Sequence, residues 1–449
     1  MALTGLEIYK LLPKTNCKEC GFPTCLAFAM KLAQKGAELE KCPYVSDEAK
    51  AALDAASAPP IRLIAVGSGE RTFAVGNEVA LFRHEKTFYH QPGLMLRVKS
   101  DDAQLAEVVS RAADYQVERV GMTLRLDGVA VEDAGGGPAA YAAAVAAARA
   151  AAPGLPLVLM SGDPAALDAA LAAGAAAERP LLHAATAANW QAMAELAKKH
   201  GCPLVLQAED GDLSALAELS AQVRGAGLED LVLDPGTDSL GADLGAFTQL
   251  RRLALKKGAR ALGYPIFARA SAPTWQAELV RAAQAVCKYA GVIVIDHFER
   301  AAVYALLTLR QNIYTDPQKP IQVEPRLYEI GSPGPDSPIL ITTNFSLTYF
   351  SVSGEVEGAG MPAWLLVADS DGQSVLTGWA AGKFDAEKIA KTVKGTGVAD
   401  HVNHRKLVIP GHVAGLSGEV EEELPGWQIM VGPREAVDIP SYLKTIWSA

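Results

Sequence analysis

The feature that most constrains this chain is a series of short apolar runs through its middle part. Most of the runs are separated by about twenty to thirty residues that include helical patterns, such as AANWQAMAELAKKH. Strand–helix alternation over this length is typical of a (β/α)8 TIM barrel, so we predict an α/β protein with a central barrel. The eight candidate strands lie at residues 94–98, 118–124, 155–160, 179–184, 202–207, 230–235, 261–267 and 291–296.

Four of the six cysteines are crowded into residues 16–43, spaced as C-x2-C-x4-C and then a lone Cys-Pro. Such a group suits structural zinc or an iron–sulfur cluster. The spacing favours [4Fe–4S], because zinc ribbons usually carry two C-x2-C pairs and this segment has one; zinc stays the alternative. Disulfides are disfavoured, because no export signal is visible at the N-terminus. The candidate ligands are Cys17, Cys20, Cys25 and Cys42.

Composition narrows the class of protein. The chain has 449 residues, half of them apolar, with a formal net charge of −10 and a pI near 5.4. This length predicts two or three domains. The acidic balance, with no basic run, argues against a nucleic-acid partner, and no segment predicts a membrane span. We therefore expect a cytoplasmic protein, in which Cys202 and Cys287 are small core residues.

Two breaks divide the chain. The first is the Ala- and Pro-rich stretch near 51–60, and the second is the segment 315–338, dense in Pro, Gly and Asp. The prolines of the second break indicate an extended strap that pivots at Gly331 and Gly334. The predicted domains are a small [4Fe–4S] domain at 1–58, a TIM barrel at 59–320 and a C-terminal α/β domain at 321–449.

The C-terminal part predicts a small, open, Rossmann-like α/β sheet. Each of four apolar strands ends in a turn of small or hydroxyl residues. In a parallel doubly wound sheet these turns meet at one edge, where ligands bind. Four such turns suggest a ligand with a long perimeter of amides and hydroxyls. The strands are predicted at 338–343, 362–370, 404–411 and 426–432.

The strand ends of the predicted barrel carry polar residues in no spacing that suits a metal or a catalytic triad. We therefore expect them to pack loops or an interface. Two Gly-rich segments, 65–76 and 394–401, lack the features of a nucleotide-binding loop. The polar residues are Ser161, Asp163, His183, Gln207, Asp234, Arg269, Asp296 and His297.

Stretches along the whole chain resemble one family. They include LTGLEIYKLLPKTNCKECGFPTCLAFAMKLA, LFRHEKTFYH, TTNFSLTYFSVSGE and VGPREA. The chain resembles the large (gamma) subunit of the corrinoid iron–sulfur protein, partner of carbon monoxide dehydrogenase/acetyl-CoA synthase. The resemblance implies a methyl carrier of the reductive acetyl-CoA (Wood-Ljungdahl) pathway. Its cobalt would accept a methyl group from methyl-tetrahydrofolate, or another methyl-tetrahydropterin, and deliver it to acetyl-CoA synthase.

Two cofactors follow from this resemblance. The four clustered cysteines would hold a [4Fe–4S] cluster that reductively reactivates cobalt in the Co(II) state. A cobalamin-type corrinoid, base-off, would be bound in the C-terminal domain with no protein histidine on cobalt. In agreement, the sequence lacks a D-x-H-x-x-G signature in this part, where His401, His404 and His412 each stand alone.

The corrinoid contacts are predicted from the resemblance and from strand-end position. Thr377 is expected to face cobalt, because a small hydroxyl leaves room for a planar macrocycle. The contacts are Thr343, Asn344, Ser346, Tyr349, Ser374, Val375, Leu376, Thr377, Gly411, Ala414, Gly415, Val431, Gly432 and Ala436.

Three protein partners are implied as well. They are a small (delta/beta-type) TIM-barrel subunit that forms a heterodimer with this chain, a methyl-tetrahydropterin methyltransferase, and carbon monoxide dehydrogenase/acetyl-CoA synthase. Two other functions compete. One is a self-sufficient pterin-dependent corrinoid methyltransferase with the donor in its own barrel, although no pterin-binding constellation is assignable. The other is a simple electron-transfer module, which leaves the C-terminal turns without a purpose.

Overall fold

The computed structural model describes residues 5–33, 36–46, 49–50, 53, 59–120, 122–316 and 321–447. The chain divides into two compact units. The first contains the residues up to Tyr115 and Arg125–Tyr314, and the second contains Gln116–Leu124 and the residues from Thr315 onward. Both predicted domain boundaries, 58/59 and 320/321, adjoin residues outside the described ranges, so they stay predictions.

Strands and helices alternate along most of the chain. The strands are β1 (Ile64–Val66), β2 (Phe73–Val75), β3 (Gly93–Lys99), β4 (Gln116–Arg119), β5 (Met122–Arg125), β6 (Gly128–Glu132), β7 (Leu157–Met160), β8 (Leu181–Ala185), β9 (Leu204–Gln207), β10 (Leu231–Asp234), β11 (Ile266–Arg269), β12 (Ala290–Ile295), β13 (Leu327–Ile330), β14 (Ile339–Thr343), β15 (Ala363–Ala368), β16 (Lys406–Ile409) and β17 (Gln428–Val431).

The α-helices surround these strands, and none in the described part of the chain is long and apolar enough to cross a membrane. They are α1 (Gly5–Leu11), α2 (Cys25–Ala33), α3 (Leu105–Asp114), α4 (Pro138–Ala151), α5 (Pro164–Ala172), α6 (Trp190–His200), α7 (Leu213–Gly225), α8 (Leu240–Lys256), α9 (Trp275–Cys287), α10 (Arg300–Tyr314), α11 (Ser346–Ala359), α12 (Val375–Ala380), α13 (Ala386–Gly395), α14 (Ser417–Glu423) and α15 (Ile439–Tyr442).

Eight parallel strands of the first unit close into a barrel: β3 and then β6 to β12, in chain order. Closure pairs the last strand with the first, so that Val294 lies opposite Met95. The inward side chains form one apolar core, as expected for strands with both faces covered. The predicted (β/α)8 barrel is therefore confirmed, and seven of its eight predicted strands overlap barrel strands.

The prediction of a barrel strand at residues 118–124 is wrong. This segment forms a separate two-stranded sheet, β4 and β5, with Val120 between them at φ +54°. Most of its residues are exposed or half-buried, whereas β6, the true second barrel strand, is buried along nearly its whole length. Val120 packs instead against an apolar core of the second unit.

A small antiparallel hairpin, β1–β2, closes the N-terminal end of the barrel. Its residues Ile64, Val66 and Val75 share the core of the barrel interior. The approach is close: a Cβ on Gly93, where β3 begins, would lie 2.4 Å from the Phe73 ring. The Gly-rich segment 65–76 is therefore a hairpin that packs on the barrel core.

The second unit is built on a five-stranded sheet in the order β13-β15-β14-β16-β17. The last four strands along the chain are parallel, and β13 is antiparallel at one edge. Alternate residues of β14 face opposite layers, since Ile341 shares a core with α13 and α14, whereas Leu340 shares one with α11 and α15. The sheet is thus doubly wound, and the predicted open α/β fold is confirmed.

The predicted strap at 315–338 is wrong in its second half. Residues 327–330 form β13, which pairs with β15 and buries Tyr328 and Ile330. Two hydrogen bonds fix the turn after it. The Trp364 indole N–H donates to the Gly334 carbonyl (3.2 Å), and the backbone N–H of Asn403 donates to the Pro335 carbonyl (2.8 Å). A pivot at Gly331 and Gly334 would break this sheet edge.

We predict that Arg310→Ala lowers the free energy of unfolding of the barrel by about 3 kcal/mol, because a buried ion pair loses one partner. The Arg310 guanidinium donates to the carboxylate of Asp127 and to the carbonyls of Pro92 (2.8 Å) and Arg125 (3.1 Å). Urea denaturation followed by circular dichroism measures the change. Arg62→Ala, which breaks an exposed pair, is the control, with an expected loss of about 1 kcal/mol or less. Equal losses would contradict the prediction.

A second prediction concerns the turns after β16 and β17, which touch at Gly411. A Cβ there would lie 2.5 Å from the Gly432 carbonyl oxygen and 2.8 Å from the Arg434 backbone nitrogen. We expect Gly411→Ala to destabilise the protein by about 1–3 kcal/mol, since backbone must move. Gly415→Ala, whose Cβ meets nothing within 4 Å, should leave the melting temperature unchanged. A stable Gly411→Ala protein would refute the close approach.

Candidate functional site

A cavity of about 380 Å³ opens at the carboxyl ends of β14 and β16. These strands are neighbours, and the chain leaves β14 toward β15 on one side before it returns to β16 on the other. The crevice at such a switch point is the usual ligand site of a doubly wound sheet, and the volume is in the range of small-molecule sites. The geometry therefore agrees with the predicted ligand edge.

The cavity wall is mostly apolar, with a few hydroxyl groups. Leu340, Val408 and Ile439 line it, together with Thr342 and Ser351. The Thr342 side chain is buried, and its Oγ1 has no hydrogen-bond partner among the described residues. A buried hydroxyl without a partner costs free energy that a ligand could restore. The wall suits a ligand with a large apolar body and polar groups at its edge.

Large apolar side chains stand exposed in and beside this opening. Leu347 and Leu376 line the cavity and are 67% and 45% exposed, and Val437, which follows a lining residue, is 68% exposed. Single exposed apolar residues are common, but a group at the mouth of a cavity marks a surface that a ligand or a partner covers.

The predicted contact residues fall into two groups, and all of them stay predictions. Those that line the cavity are Ser374, Val375, Leu376, Gly432 and Ala436. Those that lie on the strand ends, turns and helix starts of the same unit, without lining the cavity, are Thr343, Asn344, Ser346, Tyr349, Thr377, Gly411, Ala414, Gly415 and Val431. The hydroxyl of Thr377, the residue predicted to face cobalt, lies 3.0 Å from that of Ser374.

Sequence reasoning missed the face of α11 that lines the cavity. Leu347, Thr348 and Ser351 lie on this face, whereas the predicted contact Tyr349 packs on Tyr328 with ring centroids 4.9 Å apart. Residues at i and i+4 lie on the same side of a helix, so choosing Leu347 would have identified Ser351 as well. The available signal was Leu347, an aliphatic residue in the first turn of α11.

Asn344 is buried and its side chain is fully engaged within the protein. Its Nδ2 donates to Gln322 Oε1 and Asp369 Oδ1, both at 3.2 Å. Its Oδ1 accepts from the backbone nitrogens of Ser370 (2.9 Å) and Gly372 (3.0 Å) and from the Ser370 hydroxyl (2.9 Å). A ligand contact through this amide would have to break existing hydrogen bonds.

Two of the three nearby histidines have structural partners. His401 stacks on Trp364 with centroids 4.9 Å apart, and His404 Nε2 lies 2.9 Å from the Ser337 carbonyl. His412 does line the cavity, where its Nε2 is 3.9 Å from Glu435 Oε1. That no histidine binds cobalt stays a prediction. His412 is the residue that tests it, because its imidazole lines the cavity.

The N-terminal cysteines lie in and around a small apolar core between α1 and α2. Cys25 and Cys42 are buried in it, and Cys20 packs at its edge. Asn16 fixes Cys25 twice: its Oδ1 accepts from the Cys25 backbone N–H (2.8 Å), and its own backbone N–H donates to Cys25 Sγ (3.4 Å). Cys25 is the first residue of α2.

The arrangement of these thiols bears on the choice of metal. Within the ranges that the structure describes, no three His, Cys, Asp or Glu side chains are grouped tightly enough to hold one metal ion. A structural zinc site requires four ligands around a single ion at about 2.0–2.3 Å. An iron–sulfur cube is larger and binds thiolates that stand further apart. The assignment of Cys17, Cys20, Cys25 and Cys42 as the ligands of such a cluster stays a prediction.

The mouth of the barrel is filled by ion pairs. The Arg97 guanidinium donates to both carboxylate oxygens of Asp296 (2.6 Å each) and to Glu132, and Arg269 donates to the other oxygen of Glu132 (2.6 Å). Burial lowers the pKa of Arg97, but the bonds to Asp296 and the nearby negative charges outweigh it, so the pKa is raised overall. These four charges are paired with one another.

The remaining polar strand ends are also paired. His183 Nε2 and Gln207 Nε2 each lie 3.1 Å from Asp234 Oδ2. Ser161 donates to the carboxylate of Asp133 (2.8 Å), and Asp163 caps the N-terminus of α5.

Buried Glu278 accepts from the backbone nitrogens of Asp296 (2.8 Å) and His297 (3.0 Å). Burial raises its pKa, although these bonds oppose the shift. Every polar residue singled out at the barrel mouth thus has a partner within the protein.

Two family models match the chain. The model described as "CO dehydrogenase/acetyl-CoA synthase delta subunit" matches residues 63–443, and one described as "Putative Fe-S cluster" matches residues 12–44. The second match contains all four clustered cysteines.

Full-length relatives agree with these matches. The chain is 47% identical to the corrinoid/iron–sulfur protein large subunit of Moorella thermoacetica, with 99% of each chain covered. It is 37% identical to an acetyl-CoA decarbonylase/synthase complex subunit gamma of Methanopyrus kandleri (98% and 97% covered) and 36% identical to one of Methanothermobacter thermautotrophicus (100% of each). This chain therefore belongs to the family of the corrinoid/iron–sulfur protein large subunit and its gamma-subunit relatives in the carbon monoxide dehydrogenase/acetyl-CoA synthase system.

Proposed function

We propose that this chain is the methyl-carrying subunit of a carbon monoxide dehydrogenase/acetyl-CoA synthase system. The observation that carries the proposal is the ligand-sized cavity at the switch point of the C-terminal sheet, in a chain with full-length similarity to a corrinoid/iron–sulfur protein. Its two cofactors are a base-off corrinoid at this cavity and a [4Fe–4S] cluster on the four N-terminal cysteines. An absorption spectrum of the anaerobically purified protein, with cobalt and iron analysis, tests both.

The residues that line the cavity are the ones proposed to hold the corrinoid. Leu347 and Leu376 offer apolar contact to a flat macrocycle, and the hydroxyls of Thr342 and Ser374 can bond its amide side chains. Gly432 lies where a Cβ would clash with Val408, so backbone forms this part of the wall. When bound, the corrinoid supplies a cobalt ion that takes up and releases a methyl group.

The absence of a strong axial donor matters for this chemistry. A histidine on cobalt would disfavour the electron-rich Co(I) state, which accepts the methyl group. His401 and His404 are held by Trp364 and Ser337, as described above. Only His412, among the described residues of the cavity wall, offers an imidazole. We propose that it stays off cobalt, beside Glu435.

The cluster supplies single electrons for reactivation of Co(II). Cys17, Cys20, Cys25 and Cys42 are the proposed ligands. The backbone N–H of Asn16 is directed at Cys25 Sγ, and hydrogen bonds to cluster thiolates stabilise the more negative, reduced state. Asn16 thereby tunes the potential at which the cluster gives up its electron.

The carrier role requires partners. We propose a heterodimer with a small TIM-barrel subunit, and encounters with a methyl-tetrahydropterin methyltransferase and with acetyl-CoA synthase, in the cytoplasm. The exposed residues Leu347, Leu376 and Val437 form the surface that these proteins must approach to reach the cofactor. A pterin site in the chain's own barrel is disfavoured, because the groups at the barrel mouth are bonded to one another.

We predict about four iron and four sulfide per chain in anaerobic protein, from the four-thiolate site. Cys25→Ser should lose most of this iron, because it removes a ligand that is also bonded to Asn16. Cys202→Ser is the matched control: Cys202 is buried outside the cluster segment, and burial raises its pKa to about 11, so it stays a thiol. Colorimetric iron and sulfide assays measure both. One equivalent of zinc and no iron would end the cluster assignment.

We also predict that the cluster serves reactivation and not methyl transfer. A Cys20→Ala protein should pass a methyl group at the wild-type rate once cobalt has been reduced chemically. The same protein should fail to recover from Co(II) with a protein electron donor, because the relay is broken. Stopped-flow spectra of the corrinoid follow both reactions. Failure of transfer even from Co(I) would show that the relay assignment is wrong.

A further inference from the structure

The side chain of Asn344 connects two separate pieces of the second unit. One is the loop Asp369–Gln373, to which it is joined by the four hydrogen bonds given above. The other is the segment 321–324, by which the chain enters this unit and where Gln322 accepts from Asn344 Nδ2. All five bonds are made by one amide that is fully buried, so no water competes for them.

The loop depends on this amide for its conformation. Asp371 and Gly372 have φ values of +56° and +73°, in the left-handed region that costs free energy for a residue with a Cβ. Ser370 is fully buried, and among the described hydrogen bonds its backbone N–H donates to Asn344 Oδ1 alone. Without this acceptor, two backbone N–H groups of the loop would lose their partner.

The entry segment leaves no room for the loop to move inward. Gln322 is bridged to Phe345, and the Val323 N–H donates to the Asn344 carbonyl (2.9 Å). A Cβ on Gly372 would lie 2.6 Å from Gln322 Cγ, so the loop is seated directly on this side chain. The loop is therefore held between the Asn344 amide and Gln322.

The end of this loop is a wall of the cavity. Gln373 is followed by Ser374, the residue that precedes α12, and Ser374, Val375 and Leu376 all line the opening. The Ser370 hydroxyl oxygen lies 2.9 Å from Asn344 Oδ1 and 2.8 Å from the Gln373 carbonyl oxygen and shares its single proton between them, which links the Asn344 bonds to the start of that wall. A shift of the loop would move the three lining residues with it.

We propose that Asn344 is a positioning residue for the cofactor cavity: it holds the loop 369–373 on the entry segment and so fixes the wall formed by Ser374, Val375 and Leu376. The residue acts without touching the cofactor. This inference rests on the proposed function only in naming a corrinoid as the ligand. It also makes the entry segment part of the site, because Gln322 and Asn344 bond each other.

The test exchanges one amide for a carboxylate. Asn344→Asp keeps the acceptor oxygen but places a carboxylate next to Asp369, 3.2 Å from its oxygen in the present geometry. The double variant Asn344→Asp/Asp369→Asn restores a donor between the two positions. The matched control is Asn403→Asp, which makes the same change beside Asp336 in an exposed turn outside the cavity. Each full-length protein is prepared free of corrinoid.

Two measurements are made on each variant. Hydrogen–deuterium exchange reports the protection of residues 369–373, and titration with aquocobalamin, followed by absorbance, reports affinity. We expect Asn344→Asp to lose protection in this loop and to bind aquocobalamin about tenfold more weakly. The double variant should recover most of the protection of the loop and most of the affinity for aquocobalamin. Asn403→Asp should match wild type in both measurements.

The outcomes separate this inference from the proposed function. Wild-type protein that does not bind aquocobalamin would refute the corrinoid assignment, while the exchange data would still decide whether Asn344 holds the loop. Unchanged protection in Asn344→Asp overturns the inference, and so does lost protection with unchanged affinity. A double variant as weak as the single one overturns it as well, since the exchange of partners would then have no effect.

Discussion

Parallel strand pairing is the constraint on which both halves of this protein depend. In the barrel and in the C-terminal sheet, parallel strands bring all their carboxyl ends to one edge, and the connecting turns must meet there. The two edges use this convergence differently. The barrel edge is filled by Arg97, Glu132, Asp296 and their partners, whereas the sheet edge, between β14 and β16, is left open as a cavity.

Electrostatics accounts for the difference. At the barrel mouth the charges alternate in sign and are only partly exposed, so each is stabilised by a neighbour that no ligand could replace without leaving a desolvated charge. At the sheet edge the wall is mostly apolar, with hydroxyls and three ionisable side chains (His412, Arg434 and Glu435), and Thr342 Oγ1 remains without a partner in the described structure. A large neutral ring with amide substituents matches the second surface and not the first.

The elements that could be predicted from the sequence are those whose apolar pattern results from burial in the core. Seven barrel strands and three of the four predicted sheet strands are apolar runs whose two faces are covered, whereas β17, at the sheet edge, is partly exposed. The wrong predictions concern elements whose pairing or orientation is set by tertiary contacts. Residues 118–124 were predicted as one barrel strand but belong to two short strands, β4 and β5, that pair only with each other. Strand β13 was missed in a proline-rich segment, because as an antiparallel edge strand it buries only Tyr328 and Ile330. Which face of α11 lines the cavity depends on the rotation of the helix about its axis. That rotation does not follow from the position of residues at the ends of strands.

The cluster loop shows how cofactor and fold depend on each other in the N-terminal part. Lys14, Asn16 and Lys18 have φ values of +59°, +49° and +67°, conformations that cost about 1 kcal/mol or more each for residues with a Cβ. The core beside them is small, and the hydrogen bonds of Asn16 to Cys25 stabilise only one of the three. Four iron–thiolate bonds would fix the same loop at both ends. We therefore expect cluster assembly and folding of this segment to be coupled, as in other small metal-binding domains.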